Sequence, residues 1–370
     1  GEHFGSCKVR IDDEALGGFI TRATDITPDH PVLVDRFLDS AVEIDVDALF
    51  DGSELFLGGV MEHIEEAGIH SGDSACVLPS MTITSSQLEA IKSATFKIAD
   101  SVGVLGLINI QFAIADEVLY VLEANPRASR TVPFVSKATG VALAKAAARI
   151  ALGTSIAELR IEGLLPDRGD GVAKGVSVKE AVLPWNRFRR TDGRGVDSVL
   201  GPEMRSTGEV MGISPGFGES YAKSQIAAFG PLPKAGTVFI SLADKDKLSG
   251  VAPAAGLIEC GFKVLATQGT SEFLALHRVV SIPVRKNSDG SGPMGERTIV
   301  EIISAGEINL VINTPVGRGT RADGWLIRTA AVQRSIPIIT TTAGFNAAVE
   351  GIRFLQSNEL SIKPLQEWLS

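Results

Sequence analysis

The chain has 370 residues, which at about 150 residues per domain predicts two or three domains. Hydrophobic residues make up 44% and charged residues 21%, a composition typical of globular rather than disordered proteins. The net charge of −9 disfavours a general nucleic-acid-binding protein and leaves small nucleotides open as ligands. The three cysteines are dispersed at positions 7, 76 and 260, which excludes a disulfide scaffold or a zinc cluster and makes a reducing cytoplasm the default location.

Neither end of the sequence, nor any segment between, predicts a membrane protein. No stretch reaches 18 uninterrupted apolar residues, and the N-terminus lacks a basic segment followed by an apolar run. The chain begins with Gly1 rather than Met, in what reads as the middle of a domain. We therefore expect it to be part of a longer protein.

Residues 1–152 mix strand and helix patterns and predict an α+β region. Glu43 to Phe50 alternates polar and apolar residues, the period of a half-buried strand. Ser86 to Val102 has helical spacing, with Ser85 or Ser86 as its cap, and Val141 to Leu152 is an Ala-rich helix that stops before a glycine. Two apolar runs around a turn near Asp116 and Glu117 predict a β-hairpin, with strands at Leu107–Ala115 and Val118–Glu123.

The remainder of the chain divides into two regions. Residues 153–235 hold Gly and Pro clusters without clear periodicity, which predicts a connecting region with surface loops. Residues 236–370 alternate strand and helix patterns, which predicts an α/β domain with a doubly wound parallel sheet. Its predicted strands are Thr237–Leu242, Lys263–Ala266, Val279–Ile282, Leu310–Ile312 and Ile336–Ile339.

The hairpin carries the residues best suited to chemistry. Glu123 and Asn125 point to the same face of their strand, and Gln111 joins them if the turn has three residues, Asp116 to Val118. A two-residue turn would place Gln111 on the opposite face. One carboxylate with two amide oxygens suits Mg²⁺ or Mn²⁺ and phosphates, which Arg127 and Arg130 could also bind. The alternative is an ordinary ion pair between Glu123 and Arg127 at the strand end.

Several long strings resemble the ATP-grasp core of carbamoyl-phosphate synthetase large subunits. They are NIQF at 109–112, EANPRASRTVPF at 123–134 with VSKATG after it, MEHIEEAGIHSGDS at 61–74 and GPEMRSTGEVMG at 201–212. Their order is similar to the second, C-terminal half of that subunit, in which a methylglyoxal-synthase-like regulatory domain follows. The resemblance implies a partial ATP-grasp domain at 1–152, a connecting region at 153–235 and this allosteric domain at 236–370.

The resemblance also implies roles for individual residues. Metal ligands would be Gln111, Glu123 and Asn125, and Arg127 and Arg130 would face the reacting phosphate and carbamate. The remaining nucleotide contacts would be Arg36 and Leu38 beside the adenine, Glu43 near the ribose, and the loop of Gly68, Ile69, His70 and Ser71. His70 on spacing alone is more typical of a structural histidine.

The activity that the resemblance implies is ATP-dependent phosphorylation of carbamate to carbamoyl phosphate, for arginine and pyrimidine biosynthesis. Such phosphoryl transfer needs alignment and charge neutralisation, and no nucleophilic side chain. The implied cofactors are ATP, Mg²⁺ or Mn²⁺, and K⁺. The implied partner is a glutamine amidotransferase small subunit, in an oligomer of heterodimers, with neither nucleic acid nor membrane involved.

Small polar residues follow the predicted strands of the C-terminal domain, where open parallel sheets bind ligands. They are Thr267, Gly269 and Thr270, then Asn313 and Thr314, then Thr340 and Thr341, with Lys286 in a nearby loop. Helix N-termini at this edge suit phosphate, although threonines here could simply be helix caps. The resemblance implies uridine or inosine monophosphate (UMP, IMP) as effectors, and ornithine bound by Glu65, Asp73 and Glu180.

Other functions compete with a synthetase. Members of the family carry a Gly-rich loop and a phosphate-binding arginine before the matched region, so we expect the isolated chain to bind ATP weakly and to be an inactive nucleotide-sensing fragment. A methylglyoxal-forming lyase would need a carboxylate in the loop at 313–317, which has none. A biotin-dependent carboxylase does not share the sequence that follows Asn125.

Overall fold

The computed structural model describes residues 17, 38, 41–188, 196–292, 295–315 and 323–369. Its first sheet has seven strands, all paired antiparallel, in the order β5-β4-β1-β2-β3-β6-β7. The strands are β1 (Val42–Phe50), β2 (Leu55–His63), β3 (Cys76–Leu78), β4 (Gly106–Ala115), β5 (Val118–Asn125), β6 (Val176–Ala181) and β7 (Glu209–Ser214). The helices packed with this sheet are α1 (Ser85–Val102), α2 (Val132–Thr139), α3 (Leu143–Ala151), α4 (Ile156–Ile161) and α5 (Phe217–Ala228).

The second sheet has five parallel strands in the order β10-β9-β8-β11-β12, which confirms the predicted α/β class. The strands are β8 (Thr237–Ser241), β9 (Lys263–Thr267), β10 (Ile282–Val284), β11 (Leu310–Asn313) and β12 (Ile338–Ile339). The helices are α6 (Val251–Glu259), α7 (Gln268–Leu276), α8 (Ile299–Ser304), α9 (Asp323–Gln333), α10 (Thr342–Ser357) and α11 (Leu365–Leu369). In the part of the chain described here, no helix combines the length and the hydropathy that crossing a membrane requires.

Alternation along β1 separates a core face from a polar face. Ile44, Val46 and Ala48 are buried against α1, where Ile91 and Ala99 meet them. The intervening acidic residues point to the other side of the sheet. The strand predicted at 43–50 is therefore confirmed, and its two faces supply both a core and a site.

Three local predictions were wrong. Helix α1 is capped by Thr84 rather than Ser85 or Ser86, because the Thr84 hydroxyl accepts from the Gln87 amide and the Gln87 side chain accepts from the Thr84 amide. Strand β10 begins at Ile282, where the strand predicted at 279–282 was to end. The hairpin turn has two residues, since Ala115 pairs directly with Val118.

Residues 153–235, predicted as a connecting region, also continue the first sheet through β6 and β7. Helix α5 lies beside both strands and packs on α10 of the C-terminal sheet. Its Tyr221 and Ala222 belong to one apolar cluster with Val178 of β6, Val238 of β8 and Phe345 of α10. The two sheets therefore share a core. We call the first sheet with its helices the N-terminal lobe and the second the C-terminal lobe.

Candidate functional site

The first cavity, of about 620 Å³, opens on the polar face of β1, β4 and β5. Its walls bring together most of the residues predicted for the nucleotide, the metal and the phosphates. They are Glu43, Gly68, Ile69, His70, Ser71, Gln111, Glu123, Asn125, Arg127 and Arg130, joined by Asp45, Asn109, Ala128, Ser129, Thr131, Pro202 and Met204. Arg36 lies outside the described residues. Leu38, predicted beside the adenine, packs with Ala41 and Ala113.

Glu123 offers an accessible carboxylate to this cavity. It lies directly opposite Gln111 across the hairpin, and Asn125 lies opposite Asn109, so all four side chains share a face. The Asn125 amide nitrogen donates to Glu123 Oε1 at 2.7 Å, which leaves the Asn125 amide oxygen for another partner. One carboxylate with amide oxygens fits a divalent cation that keeps water and phosphate ligands.

Arg127 and Arg130 are exposed beside this carboxylate. Arg127 donates to the carbonyl of Ala128 at 3.0 Å, and no ion pair joins it to Glu123 among the residues that the structure describes. The alternative of a strand-end ion pair therefore does not apply there. Both guanidinium groups remain accessible to an anion, and together they add two positive charges to the cavity wall.

Asp47 fixes the segment that carries the two arginines. Its carboxylate accepts from Ser129 Oγ at 2.7 Å and from Thr131 Oγ1 at 2.6 Å, just before α2. Burial raises the pKa of Asp47 to about 6, although these hydroxyl hydrogen bonds oppose the rise. The strand β1 thus positions the arginine segment from beneath.

A buried histidine and carboxylate lie under the cavity floor. His63 Nε2 is 2.9 Å from Asp45 Oδ2, and His63 Nδ1 is 3.3 Å from Glu43 Oε2. Burial opposes the charged imidazole, but Cys76 and the Asp45 hydrogen bond outweigh it and hold the pKa of His63 well above its usual value. Burial likewise opposes the Asp45 carboxylate, but hydrogen bonds from His63 and Asn109 lower its pKa. Both shifts favour the charged form of the side chain concerned.

The loop after β2 is pinned from several sides. The Gly68 amide donates to Glu43 Oε1 at 2.9 Å, and the His70 amide donates to the carbonyl of Gly201 at 2.9 Å. His70 Nδ1 accepts from the Gly72 amide at 3.0 Å, so a neutral His70 carries its proton on Nε2. This tautomer makes His70 a hydrogen-bond donor at the cavity wall.

A buried lysine of β6 holds the same loop. Lys179, 1% exposed, donates its ammonium to the carbonyls of Ser74 at 2.7 Å, Ser71 at 3.2 Å and Gly72 at 3.4 Å. No carboxylate forms an ion pair with it within the described ranges. The loop carbonyls therefore supply the hydrogen bonds that a buried ammonium requires.

The second cavity, of about 310 Å³, lies at the carboxyl edge of the parallel sheet. It brings together the predicted Thr267, Gly269, Thr270, Lys286, Asn313 and Thr314, along with Ser241, Leu242, Ala243, Asp244, Lys247, Pro315, Asp323, Gly324, Ile327 and Arg328. Thr270 Oγ1 accepts from the Leu242 amide at 3.1 Å and from Thr267 Oγ1 at 3.0 Å, which leaves its own proton to donate. Thr267 makes no capping hydrogen bond with its side chain, whereas Thr341 does cap α10.

Lys247 is the main residue of this cavity that the sequence did not single out. Its ammonium forms an ion pair with Asp244 at 2.7 Å, and a Cβ built on Gly269 would lie 3.6 Å from it. Lys247 thus lies over the first turn of α7, where an anion is favoured. In the sequence, Lys247 and Asp244 have the spacing of an ordinary surface ion pair, so the spacing alone does not indicate a ligand-binding lysine.

Two carboxylates meet where the lobes join. Burial raises the pKa of Glu65 to about 7 and that of Glu180 to about 8, and for Glu180 the charge of Glu65 adds to the rise. Thr341 of α10 forms a hydrogen bond with Glu65, and Gln225 donates to Glu180 at 2.7 Å. Asp73 makes its hydrogen bonds elsewhere, with the backbone at 205 and 206.

Comparison with known proteins identifies the class of each lobe. Residues 5–159 match the family model of the carbamoyl-phosphate synthase L chain, ATP binding domain, and residues 249–340 match that of the MGS-like domain. The chain is 60% identical to the carbamoyl phosphate synthase large chain of Streptomyces griseus over 364 residues, which are 97% of this chain and 33% of that one. The large chains of Streptomyces coelicolor and Mycobacterium bovis are 59% and 58% identical over the same shares.

These matches confirm the resemblance noted from the sequence. The chain carries an ATP-binding domain of the carbamoyl-phosphate synthase L chain family, followed by an MGS-like domain. It spans about a third of the length of the curated relatives it matches.

Proposed function

We propose that the chain is the C-terminal part of a carbamoyl-phosphate synthase large chain, an ATP-dependent ligase, and that its first cavity phosphorylates carbamate. The supporting observation is the shared face of Asn109, Gln111, Glu123 and Asn125, in the same cavity as the exposed Arg127. One accessible carboxylate with amide oxygens and nearby cations is what phosphate-bound Mg²⁺ requires. The large-chain names of the relatives support the same reaction.

In this reaction Glu123, Gln111 and Asn125 would hold Mg²⁺ or Mn²⁺, which would neutralise the ATP phosphates when bound. Arg127 and Arg130 would bind the transferring phosphate and the carbamate, and their charge would stabilise the equatorial oxygens of the transition state. Such transfer depends on alignment, so no nucleophilic side chain is needed. Hydrogen bonds from Ser129 and Thr131 to Asp47 hold the arginine segment against β1.

The nucleoside would lie at the other end of the first cavity. Glu43 would contact the ribose and Gly68 to Ser71 would border the nucleotide, with His70 donating from Nε2. Arg36 and Leu38 are proposed for the adenine on the resemblance alone. K⁺ is a further proposed cofactor on the same basis.

The second cavity would bind nucleoside monophosphate effectors such as UMP and IMP. Thr267 and Thr270 with Lys247 lie at the start of α7, and Lys286 lies on a further wall of the cavity. Asn313 and Thr314 would close the far side. The donors and positive charge fit a phosphate monoester, which carries close to two negative charges at neutral pH.

The acid pair would bind an amine effector such as ornithine. Burial raises the pKa of both Glu65 and Glu180, and the charge of Glu65 adds to the rise at Glu180, so an ammonium between them would favour both charged carboxylates. Asp73 was predicted as a third partner, but its carboxylate is already held by two backbone amides. We therefore propose the pair alone as the amine site.

The large-chain relatives support proposals for the partners and the cellular setting. A large chain implies a small subunit, which would be the glutamine amidotransferase that supplies ammonia. The heterodimers would form oligomers in the cytoplasm, and the product would serve arginine and pyrimidine biosynthesis. The proposed division is an ATP-grasp portion at 1–152, a connecting region at 153–235 and a regulatory domain at 236–370.

The test uses the longer protein that contains this chain. Glu123→Gln keeps the size of the side chain and removes the charge that a divalent cation requires. We expect carbamate phosphorylation to fall at least 100-fold while glutamine hydrolysis by the small subunit continues. Equal retention of both activities would exclude the assignment.

A further inference from the structure

Arg328 of α9 is a buried cation that touches both lobes. It is 3% exposed and belongs to the wall of the second cavity. Its Nε and Nη2 each lie 2.7 Å from a carboxylate oxygen of Asp197, and its Nη1 lies 2.6 Å from Oδ1 of Asn313. A single guanidinium thus joins Asp197, of the N-terminal lobe, to a cavity residue of the C-terminal lobe.

The chemistry of this contact fixes the orientation of the Asn313 amide. A guanidinium carries only N–H donors, so the atom of Asn313 that faces it must be the oxygen. The amide nitrogen therefore points the other way, where it lies 3.4 Å from the carbonyl of Ser241. An amide nitrogen has two hydrogens, and the long Ser241 contact uses at most one. We expect the other to face the second cavity, whose wall includes Asn313.

Asp197 belongs to the connection between β6 and β7, which the structure describes at 182–188 and 196–208. The same connection borders the first cavity through Pro202 and Met204, and the carbonyl of Gly201 accepts from His70. Asp197 is therefore held by a segment with attachments of its own. Because the carboxylate binds Arg328 through two parallel hydrogen bonds, it fixes the plane of the guanidinium as well as its position.

We propose that Arg328 is a positioning residue, held by Asp197, that makes Asn313 a hydrogen-bond donor in the second cavity. The ligand must then present a lone pair to Asn313, such as a carbonyl, a ring nitrogen or a sugar oxygen. Its phosphate would lie at Thr270 and Lys247. This deepens the proposed effector function and rests on it.

The alternative orientation of Asn313 makes the opposite prediction. If the amide oxygen faced the ligand, Asn313→Asp would preserve the acceptor and leave binding intact. If the nitrogen faces it, Asn313→Asp removes the donor and should weaken binding as much as Asn313→Ala does. A carboxylate also repels phosphate, so that effect must be measured separately.

The experiment is calorimetric titration of the 370-residue chain with UMP and, separately, with inorganic phosphate. Asn313→Asp and Asn313→Ala should each weaken the binding of UMP at least 5-fold more than they weaken the binding of phosphate. Asp197→Asn should weaken UMP about 3- to 10-fold and leave phosphate unchanged. Glu307→Gln is the matched control, because Glu307 forms a similar two-bond pair with Arg297 on the exposed surface.

Asp197→Asn leaves a buried guanidinium without its carboxylate, so this variant could unfold. The double variant Asp197→Asn with Arg328→Gln contains neither charge and should show the same selective loss of UMP. Unchanged UMP affinity in that folded double variant would overturn the positioning role, and tight UMP binding by Asn313→Asp would overturn the donor role. If the wild-type chain binds phosphate and no variant lowers the affinity for UMP relative to that for phosphate, only this inference is overturned. A chain that binds neither probe overturns the effector proposal as well.

Discussion

Gln111 and Glu123 face each other across the hairpin although its turn has only two residues. Beyond a two-residue turn, a regular ladder would pair Gln111 with Leu122 and send Glu123 to the opposite face. The register instead shifts between Gln111 and Phe112, so Leu122 is the extra residue of a β-bulge. The bulge restores the shared face that a three-residue turn was predicted to provide.

Deleting Leu122 should be tolerated. The deletion makes the ladder regular, and Gln111 still faces Glu123 because the missing residue is the unpaired one. We expect the longer protein to keep carbamate phosphorylation within about 10-fold of wild type, measured as carbamoyl phosphate formed with saturating ATP. Deletion of Val121 should behave alike, because Leu122 would then pair with Phe112 and the same bulge would be lost. Loss of activity in both folded deletions would mean that the bulge itself shapes the cavity.

Lys179→Met should loosen the loop after β2. Methionine has a similar length but cannot donate, so the carbonyls of Ser71, Gly72 and Ser74 lose their buried partner. We expect the free energy of unfolding to fall by about 2–3 kcal/mol in urea titrations. Lys92→Met, which removes a half-exposed ion pair, should cost less than about 1 kcal/mol. Equal costs would contradict this role for Lys179.

Glu180→Gln should flatten the dependence of stability on pH. Burial first, and the charge of Glu65 second, raise the pKa of Glu180 from 4.5 to about 8. The folded state therefore binds this proton more tightly than the unfolded chain does. Protonated Glu180 contributes its full stabilisation below pH 4.5, and that contribution is lost as the pH rises through about 8. Wild type should lose a few kcal/mol between pH 5 and 9, and Glu180→Gln should lose less.

Denaturant unfolding at several pH values measures this difference. Glu162→Gln is the control, because Glu162 is exposed and its hydrogen bond from Arg149 holds its pKa below the usual value. The glutamine at 180 keeps an oxygen that can accept from Gln225, so the substitution isolates the charge. A Glu180→Gln variant with the same pH slope as wild type would show that the pair is solvated and not coupled.

Much of the framework could be predicted from period and spacing. The alternation at 43–50 gave a strand with an apolar face, and four predicted strands of the C-terminal sheet overlap β8, β9, β11 and β12. The same alternation places Asp45 and Asp47 on the face of Glu43, so their position in the site could also be predicted from the sequence. Polar residues at strict two-residue spacing can mark the floor of a site.

The rest depended on contacts between distant segments. Strands β6 and β7 have only six residues each. Lys179 and Glu180 also interrupt the apolar pattern of β6, so the sequence does not predict a buried strand there. Their burial depends on distant partners, such as the loop after β2, where Lys179 contacts a residue 105 positions away. The Asp197–Arg328 pair joins residues 131 positions apart, which no local pattern reports.

Glu123 is the residue proposed to hold the cation that serves phosphoryl transfer in the first cavity. The most direct measurement of this role is the reverse reaction in the longer protein, ATP formed from carbamoyl phosphate and ADP at increasing Mg²⁺ concentration. Glu117→Gln in the same hairpin's turn is the matched control and should behave as wild type. We expect at least 100-fold less ATP formed by Glu123→Gln, with a higher Mg²⁺ requirement. Wild-type rates and an unchanged Mg²⁺ requirement in Glu123→Gln would contradict this role.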